Sequence, residues 1–288
     1  MKSVVIKARA KINITLDVTG RRDDGYHFVK MLMQTIALYD TVTVKKVPKK
    51  GIWVSCDVRW VPCDERNLAY KAAKLIMDNF DIYGGVAINI HKRIPVSAGL
   101  AGGSTDCAAV LKAMNMLFEL GLSQKELMDL GFKLGSDVPF CVMEGTALAE
   151  GLGEKLTPVA PCPGMDIVLV KLPVSVSTAT VYKMLDSEEM TFHPDTERAV
   201  AAIKNGDKAA IAESLSNVLE PVTAKMHPRI KDIKAELIKN GALGALMSGS
   251  GPTVYGIFED KRTACRVADR IRSRMNIKSV IVTRTENI

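Results

Sequence analysis

Over the first sixty positions the apolar residues fall in short runs: "SVVIKA", "INITLDV", "MLMQTIAL", "DTVTVKKV" and "GIWVSCDV" are rich in β-branched side chains and parted by charged or glycine-containing turns. Such runs predict strands. The period changes at "NLAYKAAKLIMDNF", where Leu68, Ala72, Leu75, Ile76 and Phe80 fall near helical spacing. "VAINIHKRI" alternates again, as a strand leading into "PVSAGLAGGSTD", and "DCAAVLKAMNMLFEL" then returns to helical spacing. Ser123 and Glu126 stand in capping-box register, so a further helix should end near Gly135.

Glycine and proline concentrate around residues 150 to 165, which marks the best domain boundary and divides residues 1–160 from 161–288. Beyond it, "MDIVLVKL" reads as a strand, residues 196 to 219 as two short helices parted at "NGD", "PRIKDIKAELIKNG" as a capped helix and "KSVIVTRT" as a last strand. "GALGALMSGSGPTVYGIF" reads as two strands joined by a small-residue loop, Ser248 to Pro252. Trp53 and Trp60 are expected to be packing residues.

Composition narrows the class. A chain of 288 residues, 47% hydrophobic and 5% aromatic, suffices for a sizeable core and two domains, and excludes disorder. Its 39 Lys and Arg against 32 Asp and Glu leave a charge of +7, which suits an anionic partner. The basic residues are spread rather than blocked, favouring phosphorylated small molecules over nucleic acid. The six cysteines contain no C-x-x-C pair and lie in apolar stretches, as reduced core thiols do. Four histidines far apart in sequence suggest no transition-metal site. Charges interrupt every apolar run near the N-terminus, and no run approaches the ~20 residues needed to span a bilayer. A soluble, cytoplasmic protein is expected.

Candidate chemistry centres on the glycine loop. A helix start leaves backbone N–H groups unpaired and a partial positive charge that favours an anion. Gly99, Gly102 and Gly103 would let that backbone approach a phosphate, with Ser104 or Thr105 as cap. The same residues would equally serve a turn that packs a helix closely on a strand, and the loop alone does not choose. It has no lysine before its Ser-Thr, so it is not a Walker A loop; no G-x-G-x-x-G ends the first strand, and neither H-R-D nor D-F-G occurs.

"PVSAGLAGGSTDCAA" resembles the phosphate loop of the GHMP small-molecule kinases, which include galactokinase, homoserine kinase and mevalonate kinase. "ARAKINITLDVTGRRDDGYH", "LGSDVPFCVMEGTALAEGLGE" and "MSGSGPTVYGIF" follow that superfamily's order and are similar to its branch acting on a cytidine diphosphate conjugate in the non-mevalonate isoprenoid route. The resemblance spans nearly the whole chain. It implies an α+β, two-domain GHMP kinase fold, with an N-terminal mixed sheet-and-helix domain holding ATP and a C-terminal ferredoxin-like domain closing the substrate cleft.

The implied reaction moves the ATP γ-phosphate to the 2-hydroxyl of the conjugate's methylerythritol part, with Asp137 as base and Lys11 orienting and stabilising charge. Mg²⁺ should accompany ATP, although the sequence identifies no protein ligand for it. The phosphate loop would contribute Pro95, Val96, Ser97, Ala98, Gly99, Leu100, Ala101, Gly102, Gly103, Ser104 and Thr105, with Asn67 and Lys92 near adenine. On the conjugate, His27 would read cytosine between Tyr26 and Tyr182, Asn13 would fix acceptor hydroxyls, Thr178 would touch the same substrate, and Met33 would give an aliphatic wall.

Plainer roles exist: Asp137 in a turn, Lys11 and Lys92 solvated, Tyr26 and Tyr182 in the core, His27 bonding within a turn. Rival functions are another GHMP kinase of homoserine or mevalonate type and a basic RNA-binding protein. The expected partners are ATP and the conjugate, without nucleic acid or membrane, for a monomer or weak homodimer.

Overall fold

A computed structural model describes residues 2–188, 190 and 192–288. Strands β1 (Ser3–Arg21), β2 (His27–Val47) and β3 (Gly51–Cys56) precede helix α1 (Leu68–Asn79), β4 (Gly85–His91), α2 (Gly102–Phe118), α3 (Gln124–Phe132) and α4 (Val138–Met143). Next come β5 (Thr146–Gly151), β6 (Lys155–Pro158), β7 (Asp166–Lys171), α5 (Thr178–Leu185), α6 (Thr196–Lys204), α7 (Lys208–Glu213) and β8 (Ser216–Asn217). The chain ends with α8 (Leu219–Met226), α9 (Arg229–Lys239), β9 (Gly244–Met247), β10 (Thr253–Phe258), α10 (Lys261–Met275) and β11 (Val280–Arg284). It divides into two compact units whose segments interleave: residues 1–10, 38–96 and 101–144 in the first, and 11–37, 97–100 and 145–288 in the second. β1 and β2 are long enough to give one end to each.

In the first unit β3 pairs in parallel with β4, and β4 pairs antiparallel with the C-terminal half of β2, as in Val42↔Ile90. Helices cover this sheet. α1 buries Ala69, Ala72, Ala73 and Ile76, one stripe at helical spacing, and its alanines allow close approach to α2. Asn67 caps it, its side chain accepting from the Ala69 amide. α2 is buried nearly all round, from Thr105 through Leu111 and on to Leu117, as befits a helix inside the core. Deep burial fixes the axis of α2, and with it the place of its first turn. The Ser123–Glu126 capping box starts α3 as expected.

In the second unit the N-terminal part of β2 pairs antiparallel with β5, and β5 with β6. β8 lies parallel to β1 at Thr15 and Leu16. A separate antiparallel sheet runs β11-β7-β10-β9. Numbered by chain order, those strands read 4-1-3-2, the ferredoxin-like arrangement expected. Its two central strands are its apolar runs, "DIVLVK" and "TVYGIF", while the edge strand β11 is only partly buried.

Several expectations need correction. The first four extended segments are two continuous strands, because the charges at Arg9, Lys11 and Asp40 do not turn the chain; Lys11 and Asp40 are buried within the strands. The glycine- and proline-rich stretch carries β6 and closes a hairpin. α4, α5, α8 and α10 were not anticipated. Trp53 and Trp60 are 44% and 76% exposed, so neither is a packing residue; the ring of Trp53 instead lies under the Lys49 ammonium, 4.2 Å away. Cys63 and Cys265 are exposed rather than in the core.

Candidate active site

The glycine loop is irregular in one specific way: Ser97, Gly99 and Ala101 all take left-handed backbone angles, at φ 51°, 72° and 57°. Backbone of alternating hand turns successive N–H groups toward one side, a geometry suited to anions. Ala101 is the N-cap of α2 and makes no side-chain capping bond, so neither Ser104 nor Thr105 caps the helix. Both lie inside its first turn, where the buried Thr105 hydroxyl donates to Arg9 O at 2.6 Å. Gly103 is exposed, and a Cβ there would meet nothing nearer than Leu68 Cδ1 at 3.9 Å. The first turn of α2 thus presents backbone.

Within the second unit, three of the sequence motifs meet. A Cβ on Gly99 would stand 2.2 Å from Ser248 O, and Ser248 Oγ donates to Gly99 O at 2.9 Å, so the two small-residue loops touch through backbone. A Cβ on Gly249 would lie 3.1 Å from Gly99 O and 3.7 Å from Asn13 Oδ1. Lys11 N donates to Leu100 O at 3.3 Å. The Lys11 side chain, 4% exposed at the residue level, gives its ammonium to Asn13 Oδ1 at 2.8 Å, so it is not a solvated lysine. Asn13 is further held by Nδ2 to Met31 Sδ at 3.4 Å and by Tyr255 Oη donating to its carbonyl at 2.8 Å. Asp137, in the first unit, is the half-buried N-cap of α4 and makes no side-chain capping bond.

Lys92 and Asn67, the residues expected near adenine, both have protein partners. Asn67 spends both ends of its amide on local structure, Oδ1 as cap and Nδ2 to Pro62 O at 2.6 Å. Lys92, with a side chain only 5% exposed, is no solvated lysine: its ammonium bridges Asp40 Oδ2 and Asp106 Oδ2 and reaches Gly102 O at 3.4 Å. Asp40 Oδ1 accepts from the Arg93 and Ile94 amides, the latter at 2.8 Å. Asp106 Oδ1 is buried and accepts no hydrogen bond from the described residues. Burial pushes the Asp106 carboxyl up to about 7, with Lys92 pulling downward and Asp40 adding to the rise. Burial works against the Lys92 charge, but Asp106 and Asp40 outweigh it, and its pKa is raised. Asp40 and Asp106 were not foreseen; the only trace in the sequence is a charge inside each of two apolar runs.

The residues expected around cytosine lie in the second unit. Tyr26 is 65% exposed at a turn closed by Arg22 N donating to its carbonyl, which removes the core alternative for it. His27 and Tyr182 meet ring to ring, centroids 4.8 Å apart at 34°, so one face of Tyr182 rests on His27. His27 Nε2 bonds Asp186 Oδ1 at 2.6 Å, and Arg21 flanks the same carboxylate at 3.3 Å. A carboxylate there favours the tautomer protonated at Nε2, leaving Nδ1 as acceptor. Asp186 was also missed, though its place one helical turn after Tyr182 is a readable signal. Exposed Thr178 bonds Ser250 Oγ at 2.9 Å, and Met33 is fully buried. Among the described residues no group of three or more His, Cys, Asp or Glu could hold a metal ion.

Two family descriptions match the chain: "GHMP kinases N terminal domain" over residues 67–145 and "GHMP kinases C terminal" over residues 199–277. A 4-diphosphocytidyl-2-C-methyl-D-erythritol kinase of Clostridium botulinum (strain Eklund 17B / Type B) is 52% identical over 280 residues, covering 97% of this chain and 99% of its own. That of Acetivibrio thermocellus is 52% identical over 273 residues, covering 95% and 96%. Among solved structures, a 4-(cytidine 5'-diphospho)-2C-methyl-D-erythritol kinase superposes with TM-score 0.84 at 31% identity, covering 99% of this chain and 100% of that one. L. major mevalonate kinase, at TM-score 0.80 and 16% identity over 99% of this chain and 97% of that one, shares the fold alone.

Proposed function

Since the chain belongs to the 4-diphosphocytidyl-2-C-methyl-D-erythritol kinase family of the GHMP kinases, we propose that it transfers the γ-phosphate of ATP to the 2-hydroxyl of 4-diphosphocytidyl-2-C-methyl-D-erythritol, a step of the non-mevalonate route to isoprenoid precursors. The observation that carries this reading is the meeting of Lys11, Asn13, Gly99 and Gly249, which brings three motifs far apart in sequence to one place. We read residues 1–160 as the sequence domain that takes ATP and 161–288 as the one that completes the substrate site.

Phosphoryl transfer through a loose transition state asks for alignment and charge stabilisation more than for covalent chemistry. Backbone N–H groups at the start of α2, with residues 95–101 before it, serve the triphosphate. Lys11 supplies a fixed ammonium, oriented by Asn13, for charge on the transferred group, and Asn13 aligns the acceptor hydroxyls. Asp137 receives the proton of the 2-hydroxyl as its oxygen bonds the γ-phosphorus and the bond to the β-phosphate oxygen breaks. Mg²⁺, when bound with ATP, neutralises phosphate charge. Tyr26, His27 and Tyr182 read the cytosine, with Nδ1 of His27 accepting from its amino group, and Thr178 lies beside the same substrate. Asn67 and Lys92 support the nucleotide site as a cap and an ion bridge.

Purified protein given ATP, Mg²⁺ and the cytidyl conjugate should release ADP and yield a product whose new phosphorus resonance couples at the 2-position. Phosphorylation of mevalonate or homoserine in its place would refute the assignment. Salt-dependent RNA binding without ATP turnover would return the rival class.

A further inference from the structure

The Asp40–Lys92–Asp106 cluster has an unbalanced inventory. Lys92 has three N–H donors, and three acceptors take them: Asp40 Oδ2, Asp106 Oδ2 and Gly102 O. Asp40 has its other oxygen filled by the Arg93 and Ile94 amides. Two carboxylates against one ammonium leave one negative charge, and the one oxygen with no donor among the described residues is Asp106 Oδ1, on a residue 4% exposed. Lys92 and Asp40 are the charged groups that act on it. The neighbouring Cys107 is a buried thiol that burial keeps protonated. Asp106 also sits one turn into α2, its Cα roughly 6 Å along the axis from that of Gly102, given a rise of ~1.5 Å per residue, and its carboxylate shares the Lys92 ammonium with Gly102 O.

We propose that nucleotide binding to this protein is coupled to proton uptake by Asp106, which moves the buried cluster toward neutrality when a polyanion occupies the first turn of α2. The idea rests on the reading that places the triphosphate at residues 95–105. The reasoning is electrostatic. A like charge arriving within several ångströms disfavours the ionised carboxylate, and burial weakens the screening of that repulsion. Asp40 has both oxygens engaged, one by two backbone amides and the other by Lys92. Asp106 alone has an oxygen able to take the proton without losing a bond, and its resting carboxyl already titrates near neutrality. With an upward movement of about one unit on binding, uptake should peak near pH 7.5 at about half a proton per nucleotide and shrink below pH 6 and above pH 9.

Calorimetric titration of the whole protein with ATP in excess Mg²⁺, which keeps the γ-phosphate ionised, tests this at pH 7.5 in buffers of different ionisation enthalpy. The observed enthalpy should vary linearly with the buffer's, with a slope of about 0.5 proton taken up. Asp106→Asn, which imitates the protonated carboxyl, should bind ATP with a slope near zero. Should that variant not fold, the wild-type slope measured from pH 6 to 9 decides alone: a maximum between pH 7 and 8 supports the coupling. ATP binding with no uptake, or uptake unchanged in a folded Asp106→Asn protein, overturns the coupling alone. Absence of ATP binding overturns the phosphate-site reading and the coupling with it.

Discussion

Two glycines in one loop should answer to alanine in opposite ways. Gly99 sits at φ 72°, and a Cβ there would stand 2.2 Å from the backbone oxygen of Ser248, over an ångström inside normal contact. The left-handed angle costs alanine about 1 to 2 kcal/mol, and pushing two backbones apart in a packed region about 1 to 3 kcal/mol more. Gly99→Ala should therefore lose about 2 to 5 kcal/mol of stability, from a total of order 10 kcal/mol, seen as a melting temperature lower by several degrees. Gly103 is helical and exposed, with 3.9 Å to the nearest atom. Alanine there should stabilise the helix by about 0.5 to 1 kcal/mol, because glycine is the poorer helix former. Its Cβ, tilted toward the helix N-terminus, would intrude where the proposed site holds a phosphate. Thermal melts paired with ATP titrations separate the two effects: Gly103→Ala should melt no lower than wild type yet bind ATP at least tenfold more weakly. A Gly103→Ala protein with wild-type ATP affinity would refute the bare-turn argument, and a Gly99→Ala protein of undiminished stability would refute the close-approach argument.

Lys92→Met strips the ammonium that bridges two buried carboxylates and should cost about 3 to 5 kcal/mol in urea unfolding; the loss should shrink as pH falls and Asp106 protonates. In the wild type, burial raises the Asp106 carboxyl above its unfolded value, so the folded protein holds a proton the unfolded chain releases. Its contribution to stability should decline as pH rises from about 4 through about 7, and Asp106→Asn should flatten that stretch of the stability–pH curve. Asp137→Asn and Lys11→Met should each lower turnover far more than ATP affinity in steady-state assays; near-normal turnover in a folded variant removes that residue from the chemistry. Tyr182→Ala should weaken the cytidyl substrate by tenfold or more while sparing ATP, and equal weakening of both would count against an aromatic base site.

Local order was legible in the chain. The capping box of Ser123 and Glu126, the existence of α1, the two short helices parted at Asn205–Asp207 and the apolar runs of β7 and β10 depend on neighbours within a few residues, and periodicity reports neighbours. The motifs that mark the GHMP kinases were legible too, since a backbone that must admit phosphate restricts itself to small residues at fixed spacing. Where pattern misled, burial was the cause. Lys11 and Asp40 look like strand breaks until partners are found for them, and Trp53 looks like core until its face proves exposed. The contacts that give Lys92, Asp106, Gly99 and Asp186 their roles join residues 14 to 159 positions apart. No local period encodes such pairs: a carboxylate's charge, a glycine's necessity and a histidine's tautomer are set by whatever the completed fold presses against them.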